Sequence, residues 1–388
     1  MKLRRFYPYF FAVLAFMLTV RIIPVSWCAR AAAKWMNGNL KTQESFARGV
    51  ERIVLHNDLA RSDFNTGWDQ FNGEWLFGTY LMAGIGFGQM ALERPEIRMR
   101  HSELMSRCIE KILSKEVRAF DAEMWGEDPI DGIEGDHAHA AYLGYLNLLL
   151  GLRRLATGES DYAELNDRIT NALIRHMNQS PILLIESYPG ETYPVDNCFV
   201  IGSIGIHGRV TGADHGELIQ KWIAHTREKY VDPKTGLLIQ SVNASDGSAY
   251  DAPRGSGTAL GLFAVHYADP EFARDLYRGI KKTLARSFLG FGVVREYPEG
   301  APGRGDIDSG PIVLGYGLSA TGFTIAGARM NGDAKFFRRL FATTDLFGAP
   351  AHLKNRREYV SGGAIGNAIL FAMMTAPKAL PSIQGESQ

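Results

Sequence analysis

The stretch that decides the fold is residues 186–205, ESYPGETYPVDNCFVIGSIG, where a polar approach runs into a small, apolar helical segment. Pro194 disfavours helix on its N-terminal side, and Asp196 is suited to cap the helix that follows. Five other segments of the chain have the same form. The apolar part of the quoted stretch starts at Asn197. The six apolar segments of the chain start at Trp75, Ala140, Asn197, Arg254, Pro311 and Gly363.

Successive starts are 65, 57, 57, 57 and 52 residues apart, a period that fits one hairpin of two helices per repeat. The first segment of each repeat has no polar face, which is typical of a buried helix. More charged stretches of helical period follow, as at 161–177 and 215–230, and predict outer helices.

The repeats therefore predict an all-α fold, an (α/α)6 toroid or barrel. An open α-solenoid is the alternative, but it needs polar end caps, and the sixth segment is as apolar as the third. Asp246-Gly247 predicts a short β-hairpin within 236–250, and residues 291–304, rich in Gly and Pro, predict a loop.

Composition limits the class of protein. Hydrophobic residues make up 46% of the 388 and charged residues 22%, as in a well-buried globular protein. The 42 basic and 42 acidic side chains leave no net charge, which argues against nucleic acid as a partner. The three cysteines form neither a disulfide framework nor a zinc-type spacing.

The N-terminus has the pattern of an export signal. Lys2, Arg4 and Arg5 precede an apolar run at 10–20, and small residues follow at 29 and 31–33. We expect a cleaved signal, with an uncleaved anchor through residues 6–29 or a buried N-terminal helix as alternatives. The predicted organisation is signal or anchor at 1–33, barrel at 34–377 and a polar tail at 378–388, in a protein that is exported to, or anchored facing, the periplasm.

Polar side chains gather on the segments that lead into the inner helices. In a closed ring these helices all start at one rim, so their leading segments converge. The acids on these segments are Asp69, Glu74, Asp128, Asp131, Glu134, Asp136, Glu186, Glu191, Asp196, Asp251, Glu296, Asp306, Asp308 and Glu358. Helix capping accounts for a share of them. Their density, together with interleaved aromatics, indicates acid/base chemistry, because convergent acids raise each other's pKa.

From this set we select Asp69, Asp196, Asp308 and Glu134 as catalytic candidates. Asp69 is chosen because no helix is predicted directly after it, so capping explains it poorly. The substrate-binding candidates are Trp68, Trp125, His139, Glu186, Glu191, Tyr193, Asp251 and Arg254. His137 and His139 are two residues apart and share no helix face, so we predict no metal site and no cofactor.

The chain resembles the linalool dehydratase/isomerase family over most of residues 74–290. The likeness is carried by Gly144-Tyr145-Leu146-Asn147-Leu148, Gly151-Leu152, Leu155, Thr157-Gly158 and Tyr162, by Tyr188-Pro189 through Asn197, and by Val231-Asp232-Pro233, Gly236, Val265-His266 and Asp269-Pro270-Glu271-Phe272. The resemblance implies an (α/α)6 barrel. The family's type member is an exported homo-oligomer that dehydrates and isomerises a tertiary terpene alcohol without a cofactor.

The resemblance also adds two candidates. Tyr145 stands where the type member has a histidine, and Ser187 and Asp196 stand at its two active-site cysteines. Asp69 is a loose match to the family's acid. The fold is thus expected to transfer, while the terpene chemistry does not transfer securely.

Three functions remain open. The first is a cofactor-free enzyme that removes a hydroxyl group as water from an alcohol, with one of Asp69 and Asp196 as acid and the other as base. The second is a glycoside hydrolase, in which Asp196 or Glu191 serves as the acid. The third is a binding protein without catalysis on the same fold.

Overall fold

The computed structural model describes residues 6–158, 161–301 and 303–380. The basic residues Lys2, Arg4 and Arg5 and the tail beyond residue 380 lie outside the described residues. Within the described ranges the chain forms fifteen α-helices and six short strands.

The helices are α1 (Phe6–Cys28), α2 (Ala32–Met36), α3 (Leu40–Val50), α4 (Asp69–Glu93), α5 (Arg98–Ile112), α6 (Lys115–Trp125), α7 (Tyr145–Thr157), α8 (Ala163–Gln179), α9 (Pro194–Thr211), α10 (Gly216–Lys229), α11 (Gly255–Val265), α12 (Pro270–Thr283), α13 (Leu318–Met330), α14 (Ala334–Gly348) and α15 (Gly363–Thr375). The strands form three antiparallel hairpins: β1 (Ala285–Phe288) with β2 (Phe291–Val294), β3 (Ile312–Val313) with β4 (Tyr316–Gly317), and β5 (Pro350–Leu353) with β6 (Arg356–Tyr359).

Six inner helices close a ring. Helices α4, α7, α9, α11, α13 and α15 each pack against the next, and α15 packs back against α4. Helices α3, α5, α8, α12 and α14 pack on this ring from outside. The predicted (α/α)6 barrel is therefore confirmed, and the open solenoid is wrong because the last inner helix contacts the first.

Small residues let the inner helices approach closely. At Gly202 in α9, a Cβ atom would lie 2.3 Å from the backbone oxygen of Ala264 in α11. At Gly205, one helical turn later, it would lie 2.5 Å from Cα of Ala268. These two glycines thus allow the backbone of α9 to approach the backbone of α11 and of the residues after it, which offsets their poor helix propensity of about 1 kcal/mol each.

Three inner α-helices start away from their predicted positions by five residues or more. Helix α7 begins at Tyr145 rather than Ala140, because a turn of π-helix at Ala140–Gly144 precedes it. Helix α4 begins at Asp69 rather than Trp75. Helix α13 begins at Leu318 rather than Pro311, because the hairpin of β3 and β4 intervenes, with Leu314 and Gly315 both at positive φ in its turn.

The other predictions for strands and loops need correction. Residues 236–250 make isolated bridges, such as Val242 to Ala249, rather than a regular hairpin. Residues 291–294, predicted as loop, form β2, whose alternate residues Gly292 and Val294 are buried against the barrel.

Helix α1 is apolar and lies largely outside the barrel. Tyr7–Cys28 is long and apolar enough to cross a membrane, and its large side chains from Tyr7 to Ile23 are mostly exposed. Only its end packs on the body, where Val25 and Cys28 contact Ala342 of α14. A buried N-terminal helix is therefore wrong, whereas an export signal and an anchor both fit.

The close approach of α9 and α11 predicts the effect of adding one methyl group. Gly202→Ala places a Cβ against backbone that cannot rotate away, so we expect a loss of about 1–3 kcal/mol in the free energy of unfolding. Gly366→Ala in α15 is the matched control, since no atom lies within 4 Å of its added Cβ. Urea denaturation of both variants compares them. Equal stabilities would contradict this account of ring packing.

Candidate active site

Three carboxyl groups meet where the inner helices begin. Glu74 lies in the second turn of α4, Asp196 in the first turn of α9, and Asp308 on the loop before β3. We call these three residues the carboxyl cluster. Asp308 and Asp196 both raise the pKa of Glu74, and Asp196 also raises that of Asp308. Groups 122 and 112 residues apart in sequence, Glu74 to Asp196 and Asp196 to Asp308, are thus electrostatic neighbours.

Asp196 is held by hydroxyl groups. The Tyr145 hydroxyl, from the first residue of α7, donates a hydrogen bond of 2.6 Å to Oδ1 of Asp196. The Tyr145 ring is fixed in turn by stacking on Phe199, with ring centroids 3.6 Å apart. Burial raises the pKa of the Asp196 carboxyl above its ordinary value, and the neighbouring hydroxyls of Ser187 and Tyr145 limit that rise. Donors of this kind stabilise the ionised form.

Asp308 is positioned by a buried arginine. Arg254, the residue before α11, donates from both terminal nitrogens to the Asp306 carboxylate, with one of these bonds at 2.9 Å. Asp306 Oδ1 accepts in turn from the backbone N–H groups of Asp308 at 3.1 Å and Ser309 at 3.0 Å. Arg254 therefore anchors the turn that carries Asp308, and its charge is neutralised by Asp306 and by Glu296, 3.2 Å from Nε.

The pKa values of the carboxyl cluster are raised. Burial, then the charge of Asp306, raises the pKa of Asp308 to about 7, against the opposing effect of Arg254. Asp308 is nevertheless exposed to water, so the surrounding protein reduces the hydration of its carboxylate without excluding solvent from it. Burial also raises the pKa of Glu74 well above its ordinary value. The nearby Tyr188 hydroxyl, which lies outside full hydrogen-bond geometry, lowers it.

The structure brings five of the sequence-predicted residues together. They are Tyr145, Ser187, Asp196, Arg254 and Asp308. Tyr193 lies at the edge of the cluster. Burial and the adjacent Glu191 raise the pKa of its hydroxyl, and the charges of Asp196 and Asp308 add to that rise. Its hydroxyl donates to Glu191 at 2.8 Å.

Several predicted residues lie elsewhere. Asp69 does have a helix directly after it: it opens α4, its carboxylate is exposed, and it pairs with Arg61 at 3.1 Å. Glu134 is exposed and pairs with Arg168 and Arg175 on the surface. The structure therefore does not place Asp69 or Glu134 in the carboxyl cluster.

The remaining candidates have local roles. Trp68 is 71% exposed at the start of α4, and Asp251 is exposed on the loop before α11. Glu186 accepts from the Gly190 N–H at 2.9 Å and so closes its own turn. Trp125 and His139 contact each other, with ring centroids 5.0 Å apart, in a separate group of side chains.

Sequence reasoning did not select Glu74, Tyr188, Glu296 or Asp306. Glu74 was among the rim acids, but the assumed helix start at Trp75 placed it on the approach. With α4 beginning at Asp69, Glu74 is instead an acid inside a helix that has no polar face, and that is the signal for it. Asp306, one of the rim acids, accepts hydrogen bonds from Arg254 and pairs with its charge.

An all-α barrel of six helical hairpins with acids at one rim is the class that this geometry defines. Residues 143–360 match the sequence model of the linalool dehydratase/isomerase family, which is more than half of the 388 residues. The chain belongs to this family.

Solved structures that share the fold include two glycoside hydrolases and Dfg5. A family 105 glycoside hydrolase from C. acetobutylicum has a TM-score of 0.54 at 10% identity, covering 86% of this chain and 99% of that one. The GH76A α-1,6-mannanase from Salegentibacter sp. HEL1_6 has a TM-score of 0.52 at 15% identity, covering 89% and 99%. Dfg5 from Chaetomium thermophilum, in complex with glucosamine, has a TM-score of 0.51 at 13% identity, covering 82% and 83%. At such identities these likenesses show the fold alone.

The raised pKa of Asp308 predicts how its removal changes stability with pH. An unfolded aspartate has a pKa of about 3.9, so the folded chain binds the proton more tightly and loses stability as pH rises through about 7. Asp308→Asn removes this loss. We expect a higher Tm than wild type at pH 8 and little difference at pH 4.

Thermal unfolding at both pH values measures this effect, with Asp131→Asn, an exposed turn residue, as control. A gain of equal size at pH 4 and pH 8 would refute the assignment of a proton to Asp308.

Proposed function

We propose that this protein is an acid/base enzyme that eliminates water from a hydroxylated substrate or isomerises it. The observation that carries this proposal is the carboxyl cluster, in which burial raises the pKa of Glu74, Asp308 and Asp196, while the hydroxyls of Ser187 and Tyr145 oppose that rise at Asp196. An acid and a base of separated pKa are what general acid–base elimination requires.

In this reaction Asp308 donates its proton to the substrate hydroxyl, the carbon–oxygen bond breaks and water leaves. Asp196 takes a proton from the neighbouring carbon, and the electron pair of that carbon–hydrogen bond forms the double bond. Asp308 suits the acid role because its pKa of about 7 lies near the operating pH. Burial raises the pKa of Glu74, which favours its protonated form as a hydrogen-bond donor to the substrate. Glu74 and Asp308 thus replace Asp69 in the scheme expected from sequence.

The rim around the cluster supports an apolar alcohol as substrate. Apolar side chains are exposed on the segments that precede the inner helices: Trp68 at 71%, Tyr250 at 85%, Leu314 at 88% and Val360 at 68%. Exposed apolar side chains recur on four of these segments, which supports an apolar ligand or another subunit at this rim. The homo-oligomer implied by the family remains a prediction, and this rim is the surface that it would cover.

A glycoside hydrolase is the second candidate. A protonated carboxyl beside an ionised one also serves glycosidic bond cleavage. The family 105 hydrolase and the GH76A mannanase are named for that chemistry and share this barrel.

Substrate turnover separates the two candidates. We expect the purified protein to convert linalool or a related tertiary alcohol into alkene detected by gas chromatography, and to leave α-1,6-mannotetraose and nitrophenyl mannosides intact. Asp196→Asn should lower kcat/KM by at least about 100-fold. Tyr145→Phe should move the acidic limb of the pH profile to higher pH, since the lost hydroxyl lowers the pKa of Asp196.

Asp69→Asn is the matched control and should keep wild-type activity, because its carboxylate is exposed and paired with Arg61. Mannoside cleavage lost in Asp196→Asn would favour the hydrolase instead. Full dehydration activity in Asp196→Asn would rule out the acid/base assignment, and ligand binding without turnover of either substrate class would favour a binding protein.

We also propose that α1 directs the barrel to the periplasm. Its length, apolar character and exposure support this location. Alkaline phosphatase fused after residue 40 is expected to be active in bacterial cells, and the mass of the mature protein then decides between a cleaved signal and a retained anchor. An inactive fusion of normal abundance would contradict export.

A further inference from the structure

A second group of side chains lies on the loop between α6 and α7. Glu127, His137 and His139 each present one ligand atom, and these atoms all lie within 4.8 Å of one another. His137 Nδ1 is 2.7 Å and His139 Nε2 is 3.8 Å from the same oxygen, Oε2 of Glu127. The sequence argument against a metal assumed a helix, but this segment is a loop, so two residues of separation bring the imidazoles to one side.

His139 is the decisive residue in this group. Its side chain is fully buried, and its Nε2 has no hydrogen-bond partner among residues 6–158, 161–301 and 303–380. A buried polar atom left unsatisfied costs about 1–3 kcal/mol. The other ring nitrogen, Nδ1, lies 2.5 Å from Oδ2 of the equally buried Asp121. If Nδ1 carries the proton of that bond, Nε2 offers a free lone pair toward Glu127.

Nearby glycines leave space for the Glu127 carboxylate. Gly126 ends α6 at a φ of +71°, and the chain then doubles back under Glu127. A Cβ at Gly132 would lie 2.7 Å from the Glu127 side chain, and one at Gly135 would lie 3.3 Å from its Oε1. The Trp125 ring packs against both His137 and His139, with centroids 4.9 Å and 5.0 Å away.

An ion pair between His137 and Glu127 is the simpler account of this arrangement. It explains the 2.7 Å contact but leaves the buried Nε2 of His139 without a partner. It also does not explain why the buried carboxylate of Asp121 contacts the other nitrogen of the His139 ring. A carboxylate that accepts from one imidazole nitrogen while the other binds a metal is a recurrent second layer of metal sites.

We propose that Glu127, His137 and His139 bind one divalent transition-metal ion of the zinc type. Two imidazole nitrogens and one carboxylate oxygen suit this class, with water at the position left open toward solvent by the exposed His137. Ligand atoms about 2.0–2.2 Å from a tetrahedral ion lie roughly 3.4 Å apart, so Glu127 moves slightly from His137 on binding.

The metal would fasten the 126–139 loop to the start of the second inner helix. The backbone N–H of Ala140 donates to the backbone carbonyl oxygen of Glu186 at 3.2 Å. Burial raises the pKa of Tyr188, and the charge of Asp121 adds to that rise. The proposed metal site thus adjoins the carboxyl cluster but shares no residue with it. Its role is to hold the loop, and it stands whether or not the proposed reaction is correct.

Cobalt titration of the full chain, purified without a histidine tag and stripped with EDTA, tests the site. We expect one Co²⁺ per chain with visible d–d absorption, its displacement by Zn²⁺, and a Zn²⁺-dependent rise of several degrees in Tm. His137→Ala, at an exposed position that tolerates substitution, and Glu127→Gln should each weaken binding at least about 100-fold. Asp121→Asn should weaken it about 10–100-fold.

His56→Ala is the control, since His56 is an exposed histidine 3.9 Å from Glu51, outside this group. It should bind Co²⁺ as wild type does. Absence of stoichiometric binding in the wild-type chain overturns the proposal. Binding that is unchanged in both His137→Ala and Glu127→Gln, with native circular dichroism, does so as well.

Discussion

Closure of the inner ring is the constraint on which the rest of the structure depends. Six helices can surround a common axis only if neighbouring backbones approach closely, and contacts such as Gly202 against Ala264 make this possible. Because each inner helix is followed by a return segment outside, all six begin at the same end. Residues that are far apart in sequence, such as Glu74 and Asp308, are thereby made neighbours.

That convergence sets two electrostatic effects against each other. A helix N-terminus favours an ionised carboxylate, and Asp196 stands in the first turn of α9. Burial favours the protonated form and prevails at all three carboxyls, and neighbouring acids add to this effect at Glu74 and Asp308. Asp196 differs in its donors, because it accepts a direct hydrogen bond from Tyr145, which opposes the rise in its pKa.

The repeat in the sequence predicted the ring well because each apolar segment had no polar face, a property that only burial explains. It also selected Asp196, Asp308 and Arg254 as candidates, because these residues lie on the segments that lead into inner helices. Glu74 was not selected because the start of α4 is hidden among polar residues from Asp69 onward. The approach of Glu127 to His137 and His139 depends on turns at Gly132 and Gly135, which no periodic pattern encodes.

Asp308 differs from Glu74 and Asp196 in the structural element on which it lies. Glu74 and Asp196 are built into helices of the ring, so their positions change only if the barrel changes. Asp308 lies on a turn that is held by the pair of Arg254 and Asp306 and by local hydrogen bonds of Ser309. Within this fold, the exchange of one loop can therefore replace or move one of the three acids. Such an exchange would alter the reaction with little effect on the stability of the barrel.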